Sequence, residues 1–481
     1  MIVSVLRNSF FTVCACIACC GLMRAQIATS TVVGDYTGTQ GQLHFRLRIQ
    51  TNSAGSLICF MDIVDQDAFG IPCTQLALSG AQFSFAVPDV QGTYKGSIST
   101  DGDAITGTWD QGLPMPLVLI RKPPATVTEL SAQLTEIDAM VANAYNKKPS
   151  GGLTIGVVSD SQLIWTKSYG NADTKNHLPA NIDTVYRIGS ITKMFTAVML
   201  EQLVETGKVH LSDPVRKYYP EIDNVQGRFP NAPPITLIQL ATHTSGLGLE
   251  PDNVERYVQG PVADWEKTLI AALPHVHYVF EPGIRFSYSN IGYAVLGAAL
   301  ARAAGEPYLE YVPAHIFRPL GMAHTALKPN AEIKPYLSTG YEVEGDKTDT
   351  ETPLREQLGR GYKVPNGTAY TNVKDLARFA SFLMGNGPES ALKATSLEQD
   401  LDQIEVPSNS WLTGGYGLGF MVTRRDGYVA FGHSGDVAGY QAALYINRDK
   451  KIGLIVLANV GGSESIDAEE IALKSLDLLS K

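Results

Sequence analysis

The stretch GSITKMFTAVML, residues 189–200, is the part of the sequence on which the fold assignment depends most. Plotted at about 100° per residue, it gives a helix with one apolar face, made of Ile191, Met194, Phe195 and Val198. The opposite face is apolar as well, and its members are Ala197, Leu200 and Val204. Two apolar faces are typical of a helix buried between two layers, so we expect a core helix here. Lys193 lies on the second face, where a charge is unexpected.

A serine and this lysine stand close together at the start of the helix. Ser190 and Lys193 are three positions apart, so their side chains are neighbours on the helix surface. Burial lowers the pKa of a lysine and lets a fraction of it act as a neutral base. The helix N-terminus places N–H groups near the Ser190 oxygen, which predicts a nucleophile that needs no histidine. A second Ser-x-x-Lys copy, residues 390–393, lies in a polar stretch without an apolar helix, so we favour Ser190.

A serine nucleophile also needs a group that carries protons, and the candidate is Tyr288. It lies in FSYSNIGYAVLGAALARAAG, residues 286–305, where Tyr-Ser-Asn opens another predicted helix. The Tyr-x-Asn pattern is short and recurs at 169–171 and 445–447. A structural alternative makes Tyr288 an aromatic residue beside an N-cap formed by Asn290, and both interpretations are compatible.

The third element is GHSGDVAGY, residues 432–440. It is predicted to end a strand with small residues, so that a substrate backbone pairs along the strand edge. The residues expected to bind substrate there are His433, Ser434, Gly435 and Asp436. The segment is not a nucleophile elbow, because Asp436 stands where Gly-x-Ser-x-Gly requires glycine. A purely structural role for His433 remains the alternative.

In chain order, these three motifs resemble those of the serine β-lactamase and penicillin-recognising superfamily, in particular its class C β-lactamase-like group. That group also holds DD-carboxypeptidases, D-aminopeptidases and esterases. ATHTSGL at 241–247 and YGLGF at 416–420 are similar to recurrent strings of the group. The resemblance covers about residues 127–481.

The resemblance implies a role for each motif residue. Ser190 would be the nucleophile, and Lys193 and Tyr288 would share the base and acid roles. Asn290 would position Lys193 and the substrate amide, and the N–H groups of Ser190 and Asp436 would form the oxyanion hole. The implied fold is α/β (α+β): an antiparallel sheet flanked by helices, beside an all-helical lobe. No metal and no cofactor are implied.

The chain departs from class C β-lactamases at one motif. Where they usually carry Lys-Thr-Gly, it has His433-Ser434-Gly435, and a histidine of ordinary pKa is mostly neutral at pH 7. We therefore expect an acyl hydrolase acting on D-alanyl peptides or small esters, with weak β-lactam turnover. The alternatives are a penicillin-binding sensor that deacylates slowly, a carboxylesterase with no peptidase role, and a cell-wall or carbohydrate adhesion protein. The intact Ser-Lys-Tyr set argues against adhesion.

The sequence predicts four segments. Residues 1–25 hold an apolar run suited to a secretory signal, and 29–122 alternate like a small antiparallel β barrel or sandwich. Residues 123–126 form a linker that ends in a predicted capping box, Thr126 to Glu129, and 127–481 form the hydrolase domain. We expect an exported protein, periplasmic or extracellular. Cysteines within the signal raise a second possibility, a lipid anchor.

Composition limits the partners. The 481 residues carry a formal charge of −10, which gives no electrostatic reason to bind nucleic acid. The expected partner is a small-molecule or peptide acyl substrate. Cys59 and Cys73 lie outside the signal segment. They would either form a disulfide that stabilises the folded state by about 3 kcal/mol or remain as two buried thiols.

Overall fold

The computed structural model describes residues 29–51, 56–66, 68–147, 150–388, 390–392, 406–408, 414–462 and 465–481. The predicted signal segment, 1–25, and Lys393 of the second Ser-x-x-Lys copy lie outside them. The described chain forms two compact units that divide between Lys122 and Pro123. Within these ranges, no helix combines the length and the apolar character that a membrane crossing requires.

The first unit is one antiparallel sheet that follows the short helix α1 (Thr29–Val32). Its strands are β1 (Gly34–Gln40), β2 (Leu43–Thr51), β3 (Leu57–Ile63), β4 (Ala68–Pro72), β5 (Thr74–Ser79), β6 (Gln82–Val87), β7 (Gly92–Ile98), β8 (Ala104–Asp110) and β9 (Pro114–Arg121). The order β4-β3-β2-β1-β9-β8-β7-β6-β5 pairs the first strand with the last and puts β4 and β5 at the two ends of the sheet. Alternate residues point into one core, whose aromatic members are Tyr36, Phe45, Phe83, Phe85, Tyr94 and Trp109.

Cys59 and Cys73 are free thiols in this unit. The N–H of Cys73 donates to the carbonyl of Cys59 at 2.8 Å across neighbouring strands. Burial raises the pKa of the Cys59 thiol well above its ordinary value, which keeps that thiol unreactive. Of the two alternatives from the sequence, the structure has the thiols, of which Cys59 is buried and Cys73 only partly buried.

The second unit combines a central sheet with helices. Its strands are β10 (Gly152–Ser159), β11 (Gln162–Asp173), β12 (Leu178–Pro179), β13 (Tyr186–Arg187), β14 (Tyr341–Glu344), β15 (Lys347–Asp349), β16 (Tyr370–Thr371), β17 (Val406–Pro407), β18 (Gly414–Tyr416), β19 (Met421–Arg425), β20 (Tyr428–Val437), β21 (Tyr440–Asn447), β22 (Ile452–Ala458) and β23 (Val460–Gly461). Its helices are α2 (Ser131–Lys147), α3 (Thr192–Glu205), α4 (Leu237–Ala241), α5 (Trp265–Ala272), α6 (Asn290–Ala304), α7 (Tyr308–Val312), α8 (Glu351–Gln357), α9 (Val364–Gly367), α10 (Val373–Ser381) and α11 (Ala468–Leu479).

The central sheet joins the two ends of this unit, as the sequence predicts. Its order is β12-β11-β10-β22-β21-β20-β19-β18-β17, so early and late strands pair at β10 and β22. Side chains alternate between two cores. One core lies against α2 and α11 and includes Ile155, Val456, Ile137 and Leu476. The other lies against α10 and α3 and includes Leu457, Phe379 and Phe195.

Two local predictions need correction. The bonds of the capping box form between Thr126 and Glu129, but they close a turn, and α2 begins later, at Ser131. The apolar segment YGLGFMV, residues 416–422, predicts one continuous strand, but the structure interrupts it, since β18 ends at Tyr416 and β19 begins at Met421. Gly419 turns the chain with a φ of +79°, and a Cβ there would lie 2.7 Å from that of Ala197. Only glycine lets this turn pack against α3.

Asn459 connects three parts of the second unit. Its fully buried side chain accepts the N–H of Gly152 at 2.6 Å. Its amide group donates to the carbonyls of Thr339 at 2.7 Å and Ala172 at 3.0 Å. The start of β10, the end of β11 and the segment before β14 therefore share one amide.

We expect Asn459→Leu to lower the free energy of unfolding by about 3 kcal/mol, because it leaves buried backbone groups unpaired. Chemical denaturation followed by circular dichroism measures this loss. Asn231→Leu, at an exposed asparagine, serves as the control and is expected to change little. Equal stability of the two variants would contradict the connecting role of Asn459.

Candidate active site

Ser190 lies on a 3-10 turn, Gly189–Ile191, that leads directly into α3. The hydroxyl of Thr192 donates to the carbonyl of Gly189 at 2.7 Å and accepts the N–H of Ala369 at 3.1 Å. These bonds hold the turn against the segment after α9. Ser190 therefore lies just before α3, a helix whose first N–H groups have no acceptor within the helix.

Lys193 is fully buried, which confirms the burial that the sequence predicts. Its Nζ donates to Ser190 Oγ at 3.0 Å, to Asn290 Oδ1 at 2.9 Å and to the carbonyl of Asn366 at 3.0 Å. These three acceptors match the three hydrogens of an ammonium group. The bonds to Asn290 and Asn366 thus hold the Lys193 ammonium group next to Ser190 Oγ.

The charge of Lys193 is set by burial and by three ionic neighbours. Burial lowers the pKa of Lys193 well below its ordinary value. Glu250 opposes this shift, whereas Lys363 and Arg360 reinforce it. A lysine held in this way gives up its proton more easily than an exposed one, as a general base must.

Asn290 is the first residue of α6, and the N-cap is Ser289, whose hydroxyl accepts the N–H of Gly292 at 3.0 Å. The alternative that made Asn290 the cap is therefore wrong, because its side chain turns towards Lys193 instead. Its Nδ2 donates to Glu250 Oε1 at 2.9 Å. One donor of the amide is thus already engaged, and the expected contact with a substrate amide stays a prediction.

The structure brings Tyr288 to the same cluster. Its ring centroid lies 4.8 Å from Lys193 Nζ, and its hydroxyl lies 3.5 Å from His433 Nε2. Burial raises the pKa of Tyr288, and a hydrogen bond with Ser190 partly opposes that shift. The phenol is therefore a neutral donor at pH 7, placed beside both members of the Ser-Lys pair.

His243, in the ATHTSGL string, packs against the ring of Tyr288. Its ring centroid lies 4.2 Å from that of Tyr288, and its Nδ1 accepts the N–H of Ser289 at 3.0 Å. Burial lowers the pKa of His243 well below its ordinary value, so the ring is neutral. The sequence marks this string by resemblance only and gives His243 no role.

The edge that faces Ser190 belongs to β20. This strand does not end at Gly435, as expected, but continues to Val437. β19 pairs with β20 only up to Gly432, whereas β21 pairs with it through Val437. Among the described residues, no strand pairs with the last five residues of β20 on the β19 side.

Two glycines allow this edge to meet the turn that carries Ser190. A Cβ on Gly435 would lie 2.0 Å from the carbonyl of Ile188 and 2.9 Å from the nitrogen of Ser190. A Cβ on Gly189 would lie 2.9 Å from the nitrogen of Asp436. The N–H groups of Ser190 and Asp436 thus lie at one contact, where the predicted oxyanion hole requires them. That role stays a prediction.

His433 is fully buried within this edge. Its Nδ1 bonds the carbonyl of Ser434, and its Nε2 lies 3.0 Å from the hydroxyl of Tyr416. Burial lowers the pKa of His433 to about 3, so the ring is neutral at pH 7. A neutral ring that donates through Nδ1 and accepts at Nε2 has no further N–H to offer.

The side chains of the other two residues predicted to bind substrate, Ser434 and Asp436, have different contacts. The Ser434 hydroxyl contacts Met421 Sδ at 3.9 Å. Asp436 is exposed, and Gln441 Nε2 lies 3.4 Å from its carboxylate. Partial burial of that carboxylate and the nearby Glu342 raise the pKa of Asp436.

The structure adds residues that no sequence pattern predicts. Glu250 Oε1 accepts from Asn290 and from Lys363 Nζ, the latter at 2.6 Å. Asn366 contributes its carbonyl to Lys193, and its Nδ2 donates to the carbonyl of Asn290 at 2.9 Å. Each is a single polar residue in a loop or short helix. In the part of the chain described, no group of three or more His, Cys, Asp or Glu side chains is placed to hold a metal ion.

Comparison with known proteins agrees with this geometry. A model of the beta-lactamase family matches residues 137–477. The chain belongs to the beta-lactamase family. It is 28% identical to Beta-lactamase-like protein 2 of Dictyostelium discoideum over 66% of this chain and 58% of that protein. It is also 28% identical to PbpX of Bacillus subtilis (strain 168) over 71% of this chain and 78% of that protein. The chain thus spans less than two thirds of the D. discoideum relative.

Solved structures show the same fold. The octameric penicillin-binding protein homologue from Pyrococcus abyssi matches with a TM-score of 0.62 and 28% identity, over 72% of this chain and 77% of that one. A class C beta-lactamase matches with a TM-score of 0.60 and 21% identity, over 72% of this chain and 96% of that one. The expected β-lactamase/transpeptidase-like fold and the superfamily resemblance are therefore confirmed.

We expect Gly435→Ala to lower the rate of any Ser190-dependent reaction at least about 100-fold, because the added methyl displaces the nucleophile turn. Gly453→Ala is the matched control on the same sheet, where a Cβ would meet only side-chain atoms, at 3.3 Å or more. Rates measured with a serine-reactive probe decide this. A Gly435→Ala protein that reacts at the wild-type rate would refute the close contact.

Proposed function

We propose that this protein is a serine hydrolase that forms an acyl-enzyme at Ser190 and then releases the acyl group to water. The observation that carries the proposal is the 3.0 Å contact between Ser190 Oγ and the Nζ of Lys193, a fully buried lysine. Membership of the beta-lactamase family supports this reaction type.

The proposed reaction follows from the placement of the groups. Neutral Lys193 accepts the Ser190 proton, directly or through Tyr288, as Oγ attacks the substrate carbonyl. The N–H groups of Ser190 and Asp436 stabilise the oxyanion. Collapse of this intermediate breaks the bond to the leaving group, which takes a proton from Tyr288 or Lys193. Water then attacks the acyl-enzyme with the same groups acting in reverse.

The substrate classes in question are D-alanyl peptide amides, β-lactams and small esters. The state of His433 favours esters, since its ring is neutral and both nitrogens are engaged within the protein. A substrate carboxylate finds no fixed cation at this position, unlike in enzymes that carry lysine there. A carboxylesterase without a peptidase role is therefore the second candidate, and a slowly deacylating penicillin-binding sensor is the third.

The setting of the enzyme belongs to the same proposal. The apolar run between Phe10 and Met23 supports export to the periplasm or the cell exterior, with a lipid anchor as the second possibility. The expected partner is a small-molecule or peptide acyl substrate. The net charge of −10 gives nucleic acid no electrostatic attraction.

The first test is time-resolved labelling with a fluorescent penicillin. Wild type is expected to label, Ser190→Ala to remain unlabelled, and Lys193→Met to label at least about 100-fold more slowly. Ser390→Ala, in the second Ser-x-x-Lys copy, is the matched control and is expected to label like wild type. Rapid loss of label indicates turnover, and persistence indicates the sensor.

If wild type does not label, hydrolysis of short-chain p-nitrophenyl esters separates the remaining cases. Ester hydrolysis that disappears in Ser190→Ala supports the carboxylesterase. A protein that neither labels nor hydrolyses esters would overturn the hydrolase proposal.

The role of His433 is tested with two esters that differ only in a leaving-group carboxylate, free in one and methylated in the other. Wild type is expected to favour the methylated ester about tenfold. His433→Lys is expected to reduce or reverse that preference, because it supplies a fixed cation. His433→Gln changes no charge and serves as the control. A wild-type preference for the free carboxylate would contradict the argument from the neutral ring.

A further inference from the structure

The segment that follows ATHTSGL is bonded to the start of α6. The carbonyl of Leu249 accepts the N–H of Asn290 at 3.0 Å, and the Ser289 hydroxyl donates to the carbonyl of Gly248 at 2.8 Å. Glu250 is the next residue, and its side chain reaches the Asn290 amide. Its position relative to α6 is thus fixed by the backbone as well as by its carboxylate.

We propose that Glu250 is a positioning residue for the Ser190–Lys193 pair: its carboxylate fixes the Asn290 amide so that Oδ1 faces Lys193. The proposal rests on the proposed function. Asn290 lies between a cation and an anion, with bonds of 2.9 Å to each. The reversed amide would present its NH₂ group to the ammonium and its oxygen to the carboxylate. Both contacts of the reversed amide would be repulsive, so only one orientation is stable.

Lys363 holds Glu250 in turn. Its Nζ lies 2.6 Å from Glu250 Oε1, and the two side chains are only 14% and 20% exposed. An ion pair this far removed from water is screened much less than a surface pair. A continuous series of contacts therefore runs from Ser190 through Lys193, Asn290 and Glu250 to Lys363.

The series also sets the charge around Lys193. The ionisable groups that face it are Glu250, Lys363, Arg360, His243, His433, Tyr288 and Tyr293. Burial lowers the pKa of both histidines and raises the pKa of both tyrosines, so these four are neutral near pH 7. Glu250 supplies the negative charge among these groups and stabilises the protonated lysine. Lys363 and Arg360 act in the opposite sense.

Two substitutions test this with opposite expected signs. Glu250→Gln keeps the shape but removes the anion, so Lys193 loses its proton at lower pH. Lys363→Met removes a cation, so Lys193 loses its proton at higher pH. The acid limb of kcat/KM against pH, which marks deprotonation of the base, is expected to move by about one pH unit down and up, respectively.

A role as a simple tether between loops predicts a different result. Both variants would then lose activity without moving the limb, or would move it in the same direction, and either outcome overturns the proposal. Glu266→Gln is the matched control, because Glu266 pairs with Arg302 at 2.8 Å on the surface of the same unit. It is expected to leave the limb in place, and thermal unfolding of each variant verifies folding.

A second readout does not depend on turnover. An NMR titration of ¹³C-lysine-labelled protein, with Lys193 assigned by the Lys193→Met variant, is expected to show the same opposite displacements. If the Lys193 titrations shift as expected but no Ser190-dependent reaction is found, the hydrolase proposal is refuted and the positioning role of Glu250 is kept. A Ser190-dependent reaction with unmoved titrations would refute the positioning role alone.

Discussion

Burial of the Lys193 ammonium group is the constraint on which the rest of the site depends. A cation removed from water is costly unless acceptors surround it, and the fold provides three: the serine, the Asn290 amide and the carbonyl of Asn366. They come from the turn before α3, the start of α6 and the helix α9. These segments therefore converge on one nitrogen, and the helix that carries it is buried from Thr192 to Leu203.

Strand β20 of the central sheet meets the Ser190 turn at two glycines, where there is no space for a side chain. Gly189 and Gly435 let two backbones touch, so the N–H groups of Ser190 and Asp436 come together without the selection of any side-chain rotamer. On its other side β20 is supported by β21, which pairs with it through Val437. Ser190 thus lies between a helix on one side and a strand on the other.

The sequence predicts the residues of the site that belong to short motifs. Ser190 and Lys193 are found through helical spacing and Tyr288 through a motif, and the sheet follows from apolar, strand-like segments such as those that form β10 and β22. Glu250, His243 and Asn366 are not found, because their partners come from segments far apart in the chain and leave no periodic pattern. Asn290 shows why sequence alone does not suffice. An asparagine side chain suits both an N-cap and a hydrogen-bond partner of Lys193, and only the position of Lys193 in the fold decides between the two roles.

The interior of the first unit has a consequence for what that unit can recognise. Aromatic rings fill it, with Phe45 and Trp109 at 5.5 Å and Phe85 and Tyr94 at 5.3 Å between centroids. The six aromatic side chains of this core are at most 2% exposed, so none of them is available on the surface to contact a partner. The apolar side chains that this unit does expose include Val118 and Ile120 on β9.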